Sequence, residues 1–318
     1  MSANASTSPA INLMNEVQTA FEHHLVTLQA QARDPFLAHA PELQACFDLL
    51  CDDASKRYYA TELVFLMMRT IKPEFAAEIS PFKPQDWLAH AQRWNQLVAD
   101  PKAKIPRNMT CIDQEHKYLL NMLVTTFVCE QYKYAPFVQV EKGEIFLDCG
   151  ACFGDTALWA YYNGAKKVYS FEPSPSNFPY LQQNLKSQGY DAERCFPYAV
   201  GEKEEELSFA AAPGMAGASA INEHGNVKVR CVKLDDFLKE QKIKPTFIKF
   251  DIEGAEMGAL RGARETITKL KPKMAVCLYH KISDMWEIPL LLKEMVPDYK
   301  FYCRKNNVQN EFILYATV

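Results

Sequence analysis

Three stretches of the chain combine carboxylates, glycines and apolar runs in a way that could do chemistry. In Leu147-Asp-Cys-Gly-Ala-Cys-Phe-Gly-Asp-Thr156 a short apolar run ends on Asp148, and Gly150 and Gly154 follow in a turn that opens a helix. Glycine suits a backbone that must approach a ligand closely or take a positive φ. A second apolar run, Lys167-Val-Tyr-Ser-Phe171, ends on Glu172, twenty-four residues after Asp148. A carboxylate at that place can accept both hydroxyls of a ribose. In the third stretch, Phe247-Ile-Lys-Phe-Asp-Ile-Glu-Gly-Ala-Glu256, an apolar strand delivers Asp251, with Glu253, Gly254 and Glu256 in the turn beyond. Tyr279-His280 follows one more apolar run, and histidine is the side chain best suited to moving protons near neutral pH. Asp251, Glu253 and His280 are thus the candidate catalytic groups. The competing structural reading has Asp251 capping the following helix, Glu253 and Glu256 complementing its dipole, and His280 as an ordinary strand-end residue.

The glycine spacing discriminates between ribose ligands. Dinucleotide sites carry G-x-G-x-x-G, with a pyrophosphate on the helix N-terminus. Here the second glycine comes four positions after the first, and Asp148 stands in front of both. A carboxylate there repels a pyrophosphate but suits a cation with an α-amino group, which favours S-adenosylmethionine over NAD. Cys149-Gly-Ala-Cys152 also has the spacing of a redox C-x-x-C, whose thiol pKa falls at a helix N-terminus. Because Cys149 belongs to the Asp-x-Gly turn, two small turn residues are the simpler account.

Alternating strands and helices must position these groups. Strands are expected at 145–147, 167–171, 195–200, 206–212, 227–232, 246–250, 273–278, 299–303 and 311–317, with helices at 154–162, 176–188, 255–270 and 286–295. That alternation predicts an α/β fold: a parallel, doubly wound sheet with helices on both faces. The carboxylates then share the carboxyl edge, where such sheets bind ligands. The preceding sequence reads as helical at 12–31, 42–52, 57–71 and 86–98, with a further helix at 112–130. Asp100-Pro-Lys-Ala-Lys-Ile-Pro-Arg107 is the best linker. It divides a helical region of unknown role, 1–105, from a ligand-binding domain, 106–318.

Asp148-Cys-Gly-Ala-x-x-Gly-Asp-Thr, Phe171-Glu-Pro-Ser-x-x-Asn177, Leu234-Asp-Asp-Phe, Lys249-x-Asp-Ile-Glu-Gly-Ala-Glu256 and Leu278-Tyr-His280 together resemble the FkbM family of methyltransferases, from about Gln131 to the C-terminus. The resemblance implies a class I, Rossmann-like methyltransferase fold with a seven-stranded sheet whose last strand is antiparallel. It implies S-adenosylmethionine as cofactor and O-methylation of a sugar, glycan or polyketide-like hydroxyl. It places Asp148, Gly150 and Gly154 at the methionine part of the cofactor and Glu172 at the ribose. Tyr198-Ala-Val-Gly201, with Ala199, falls near the adenine, and Ser219 in the small-residue loop 214–220 near the site. Cys152, Asp155, Thr156, Pro173, Asn177 and Asp251 complete the implied cofactor-binding set.

Composition narrows the class. The 318 residues carry 35 basic and 39 acidic side chains, a net charge of −4. A nucleic-acid binder working by counterion release is usually strongly basic, so nucleic acid is not expected. No apolar run reaches 18 residues, so no membrane span is expected. The N-terminal residues have no basic region followed by an apolar one, which argues against a secretory signal. The ten cysteines are scattered, as in free buried thiols of a reducing compartment, and a cytoplasmic setting is expected. The histidines form no H-E-x-x-H, and no metal ligand set is assigned. Partners reduce to a small-molecule or carbohydrate acceptor, plus self-association through the N-terminal helices, for which no long heptad repeat argues. Two alternatives to the enzyme stand: an inactive cofactor-binding or interaction module, and an NAD-linked oxidoreductase, which the missing G-x-G-x-x-G disfavours.

Overall fold

The computed structural model describes residues 12–24, 35–71, 76, 78–80, 82–112, 116–210, 220–221, 225, 227–307 and 311–318. Its centre is a seven-stranded sheet ordered β10-β11-β9-β8-β1-β2-β3. The strands are β1 (Ile145–Cys149), β2 (Lys167–Phe171), β3 (Cys195–Phe196), β8 (Phe247–Phe250), β9 (Lys273–Cys277), β10 (Lys300–Lys305) and β11 (Phe312–Thr317). β1 pairs in parallel with β2 and β8, while β11 runs antiparallel to both β9 and β10. The order reverses at β1, so β1 and β8 mark the switch point where an open α/β sheet leaves a crevice. Strand β8 is buried at every position, as a central parallel strand covered on both faces must be.

A smaller sheet, ordered β4-β7-β5-β6, comprises β4 (Tyr198–Gly201), β5 (Glu205–Ala210), β6 (Ala220–Ile221) and β7 (Val227–Lys233). Its presence corrects the expectation of one strand over 195–200. Pro197 has no N–H to give a ladder, and the chain leaves the large sheet there to join the small one. The helix expected over 255–270 is also two helices, Glu256–Gly262 and Arg264–Leu270. Gly262 lets the first pack on β4, since a Cβ would lie 1.9 Å from the Gly201 carbonyl oxygen.

The helices preceding the sheet are α1 (Leu13–His24), α2 (Ala40–Leu49), α3 (Asp53–Ile71), α4 (Pro84–Ala99) and α5 (His116–Phe127). The helix expected over 12–31 is described only as far as His24, and residues 113–115 of the 112–130 helix lie outside the described residues. The helix expected over 86–98 starts two residues earlier, so Asp86 does not precede it. It is inside the first turn, where its carboxylate accepts the Lys83 N–H at 2.7 Å. Leu63, Phe65, Phe47 and Leu43 share one apolar core with sheet residues Leu314, Phe301 and Val276. The Cys51 N–H donates to the Phe301 carbonyl (2.9 Å), and the Cys303 N–H donates to Ser55 Oγ (2.9 Å). A fully buried ion pair, Lys305 Nζ to Glu62 Oε1 at 2.7 Å, joins α3 to β10. The proline-rich stretch 100–107 is packed as well: Ile105 lies in a core with Phe153 and Leu123. Among the described residues no helix is long and apolar enough to cross a membrane.

Candidate active site

The carboxyl ends of β1, β2 and β8 open onto one cavity. The turn after β1 forms its floor. The Gly150 and Ala151 N–H groups both donate to the Phe171 carbonyl, at 2.9 and 3.0 Å, which pins this turn to the end of β2. Gly150 has φ +86, and a Cβ there would lie 1.7 Å from the Asp251 carbonyl oxygen. Only glycine lets β1 and β8 converge this closely. Cys152 and Glu253 take left-handed φ values of 43° and 54°, uncommon for side chains of their kind, and both line the cavity.

Glu172 is buried, and both of its oxygens are fixed by backbone. Oε2 accepts the Cys152 N–H and Oε1 the Ser174 N–H, each at 2.8 Å. Burial pushes its carboxyl up to about 7 against these two bonds. A carboxylate has about four acceptor positions, so each oxygen keeps one for a ligand hydroxyl. Asp155 also lines the cavity. Thr126 donates to it at 2.6 Å, and burial raises it to about 6.

At the end of β8 Asp251 accepts the Tyr132 hydroxyl at 2.8 Å and the Tyr279 hydroxyl at 3.1 Å. Burial works to raise its pKa. Lys249 and His280, then the two hydroxyls, outweigh burial and hold it below the ordinary range. Glu253, at the rim, is pushed up to about 7 by burial and by its acidic neighbours, although His280 pulls the other way. His280 lies behind these two carboxylates, with Nε2 at 3.5 Å from Asp251 Oδ1 and 3.6 Å from Glu253 Oε2. Its Nδ1 meets the fully buried Glu256 at 2.9 Å. Burial works against the imidazolium, but the Glu256 contact and the charges of Asp251 and Glu253 push His280 up to about 10.

Several residues expected at the cofactor do line the cavity: Gly150, Cys152, Asp155, Thr156, Glu172, Pro173, Ala199 and Asp251, with Glu253 from the candidate catalytic set. Asp148, Gly154, Asn177 and His280 are not among its lining residues. Asp148 is completely buried, paired with Lys249 Nζ at 3.2 Å. The parallel register sets these two side by side on β1 and β8, so the aspartate faces the lysine and not a ligand. Gly154 starts helix α6 (Asp155–Tyr162), and a Cβ there would meet Leu185 and Leu181 at 2.8 and 2.9 Å. Asn177 is the buried cap residue of helix α7 (Phe178–Ser187). Ser219 and most of the loop 214–220 lie outside the described residues. Cys149 is the last residue of β1, not part of the turn, and burial raises both its thiol and that of Cys152. This is the opposite of what a redox C-x-x-C requires.

Tyr118, Tyr132 and Glu311 also line the cavity without having been singled out in the sequence, and Lys249, there only part of a motif, had no role assigned. Lys249 carried a signal, a lysine in the middle of an apolar buried strand, where charge is almost never found unpaired. It donates to the Gly150 carbonyl and ties the floor of the cavity to the Asp148 pair. Glu311 is pushed up to about 8 by burial and by Asp251. Asp155, Glu172, Asp251, Glu253 and Glu311 face Lys249 as the one basic group among the described lining residues, so the cavity favours a cationic ligand.

Comparison with known proteins agrees with this geometry. The methyltransferase FkbM domain matches residues 148–301. The hexuronic acid methyltransferase AglP of Haloferax volcanii is 22% identical over 158 residues, covering 49% of this chain and 64% of that protein. Methyltransferase 1 of Beauveria bassiana is 25% identical over 194 residues, covering 52% of this chain and 71% of its own length. A crystal structure of methyltransferase FkbM from Methylobacillus flagellatus superposes with a TM-score of 0.60 at 22% identity, over 89% of this chain and 60% of that one. This chain therefore spans somewhat less than two thirds of the Haloferax and Methylobacillus proteins. The likeness to the solved structure establishes the class I, Rossmann-like fold, including the antiparallel last strand that the motifs implied. The carboxyl-edge motifs at 148–156, 171–177 and 249–256 all lie inside the residues that match this domain.

Proposed function

We propose that the protein is an S-adenosylmethionine-dependent O-methyltransferase whose acceptor is a hydroxyl of a sugar, glycan or polyketide-like small molecule. The carrying observation is that Glu172 and Asp251, delivered by different strands, face one acidic cavity floored by Gly150. The residues fit this cofactor. Glu172 keeps an acceptor position on each oxygen for the ribose hydroxyls. Tyr198, Ala199 and Phe209 offer an apolar wall to the adenine, and the excess of carboxylates suits the α-ammonium and the sulfonium. Gly150, Cys152, Asp155 and Thr156 would hold the methionine part. When bound, S-adenosylmethionine supplies an electrophilic methyl group.

The remaining work is to align a hydroxyl oxygen and to receive its proton. Asp251 is held low and fixed by two tyrosine hydroxyls, so it orients the acceptor. Glu253 sits partly exposed at the rim with a carboxyl near 7, matched to taking a proton at neutral pH. His280 spreads its positive charge against both. A sugar acceptor draws support from the Haloferax relative, named for methylating a hexuronic acid.

The first test is calorimetric titration with S-adenosylmethionine and, separately, with NADH, followed by a methyl-transfer screen starting with uronic acids and hexoses. Binding of the first cofactor alone, with transfer to a hydroxyl, is expected. Binding without transfer to any acceptor in a cell extract would leave the inactive binding module, and NADH binding alone would overturn the reading.

A further inference from the structure

Behind the rim of the cavity one buried nitrogen has nothing to bond to. His280 is 7% exposed, and its Nε2 is buried without a hydrogen-bond partner. It points at two carboxylates, yet stands 3.5 Å from Asp251 and 3.6 Å from Glu253. Those separations are too long for a good N–H···O bond, which peaks at about 2.9 Å. They match the edge of a metal polyhedron. Bonds of about 2.0–2.1 Å in a tetrahedral site set the ligand atoms about 3.4 Å apart. One ligand atom from each of Asp251, Glu253 and His280 lies within 4.8 Å of the other two.

We propose that Asp251, Glu253 and His280 hold a divalent first-row transition cation such as Mn²⁺ or Zn²⁺. The outer contacts agree with this assignment. Metal-binding histidines usually donate their second ring nitrogen to a carboxylate, which fixes the tautomer. Here Nδ1 meets Glu256 Oε1 at 2.9 Å, and the same oxygen accepts the Ile252 N–H at 2.8 Å, so Glu256 cannot swing away freely. A carboxylate only accepts, so Nδ1 carries a hydrogen, and a cation at the two acids would bind Nε2 by displacing its proton. Asp251 is held in turn by the hydroxyls of Tyr132 and Tyr279. One imidazole with two carboxylates suits borderline cations better than Ca²⁺, which takes six to eight oxygens. Asp251 and Glu253 line the cavity, so the open positions of the cation face the space left for an acceptor. A hydroxyl bound there would lose its proton to solvent more readily, and with the cation in place Glu253 would be its ligand in place of the proton acceptor. That role rests on the methyltransferase reading; the site itself does not.

The test is titration of chelator-treated full-length protein with Mn²⁺, read by calorimetry and by the electron paramagnetic resonance of the ion, with Zn²⁺, Mg²⁺ and Ca²⁺ as separate arms. Saturable one-to-one binding of Mn²⁺ or Zn²⁺ is expected, with Mg²⁺ and Ca²⁺ weaker. Glu256→Gln, the positioning variant, should weaken Mn²⁺ about 10- to 100-fold, and His280→Ala and Glu253→Gln by more. Glu253 is at the rim, so Glu253→Gln should fold even if His280→Ala does not. Calorimetry with S-adenosylmethionine runs alongside. Cation binding without cofactor binding would remove the proposed reaction and keep the site. Failure of the wild type to take Mn²⁺ or Zn²⁺ at millimolar concentration would overturn the assignment, as would equal affinity in wild type and Glu253→Gln.

Discussion

The floor and the far wall of the cavity are built on different plans. The floor, residues 148–156, 171–173 and 249–253, lies inside the matched domain, and strand ends and left-handed turns place its groups. The wall takes Tyr118, Asn121, Met122 and Thr125 from α5, Tyr132 just beyond it, and Glu311 from the approach to β11, all outside the matched span. Floor residues are specified by backbone: a Cβ on Gly150 does not fit, and the oxygens of Glu172 are tied to main chain. Wall residues are specified by side chains on a helix face, which can change without disturbing the sheet. If the proposed function holds, the floor binds the cofactor and the wall selects the acceptor.

The comparison breaks most visibly at its deepest point. Asp148→Ala should act through Lys249, left charged and unpaired in a fully buried strand, at a cost of about 3–5 kcal/mol. Urea unfolding measures it. If stability is kept and only cofactor affinity falls, Asp148 touches the ligand after all. Next comes Glu172→Gln, which should weaken S-adenosylmethionine binding by about 1.5–3 kcal/mol, the usual worth of a hydrogen bond to a charged group. Calorimetry reads this, with urea unfolding alongside, because the amide can accept only one of the Cys152 and Ser174 N–H groups that the carboxylate holds.

A smaller effect is set by pH. The Glu172 carboxyl stands near 7, and its ionised form is the better acceptor for ribose hydroxyls. Affinity should therefore rise with pH, up to about tenfold between pH 6 and 8 for one ionisation. The slope should become shallower in Glu172→Gln, with Asp155, Glu253 and Glu311 carrying what is left; an unchanged slope would take Glu172 out of the effect. The mildest change is Tyr118→Ala on the wall. It should raise the KM for the acceptor several-fold, about 1 kcal/mol of lost contact, and leave cofactor affinity unchanged. A loss of cofactor affinity in this variant would erase the division between the two regions.

The floor was largely legible in the sequence because its signals are local. An apolar run ending in a carboxylate, followed by glycines, can be read without knowing what lies opposite. Glu172, Gly150 and Asp251 stand where that reading puts them. Asp148 shows its limit. The position in the strand was right, but the partner that turns it from ligand contact into structural counterion is about a hundred residues away, and only the register of β1 against β8 sets them together. His280 and Glu256 meet for the same reason, across the turn after β8 and the end of β9. The wall gave no signal, because one face of an apolar helix looks like any other until the sheet it covers is known. Pro197 did give one, and the break it makes between two sheets is what brings Ala199 to the cavity.

The contacts of α3 along β10 bear on how the chain behaves in company. β10 is the outer strand of the large sheet, and an outer strand with free N–H and C=O groups invites pairing with another molecule. Cys51 and Ser55 occupy part of that row, and the Lys305–Glu62 pair holds the helix over it. The helical segment thus serves as a built-in guard against aggregation. A fragment starting at residue 106 should bind other copies of itself, which size-exclusion chromatography would show as a rise in mass with concentration.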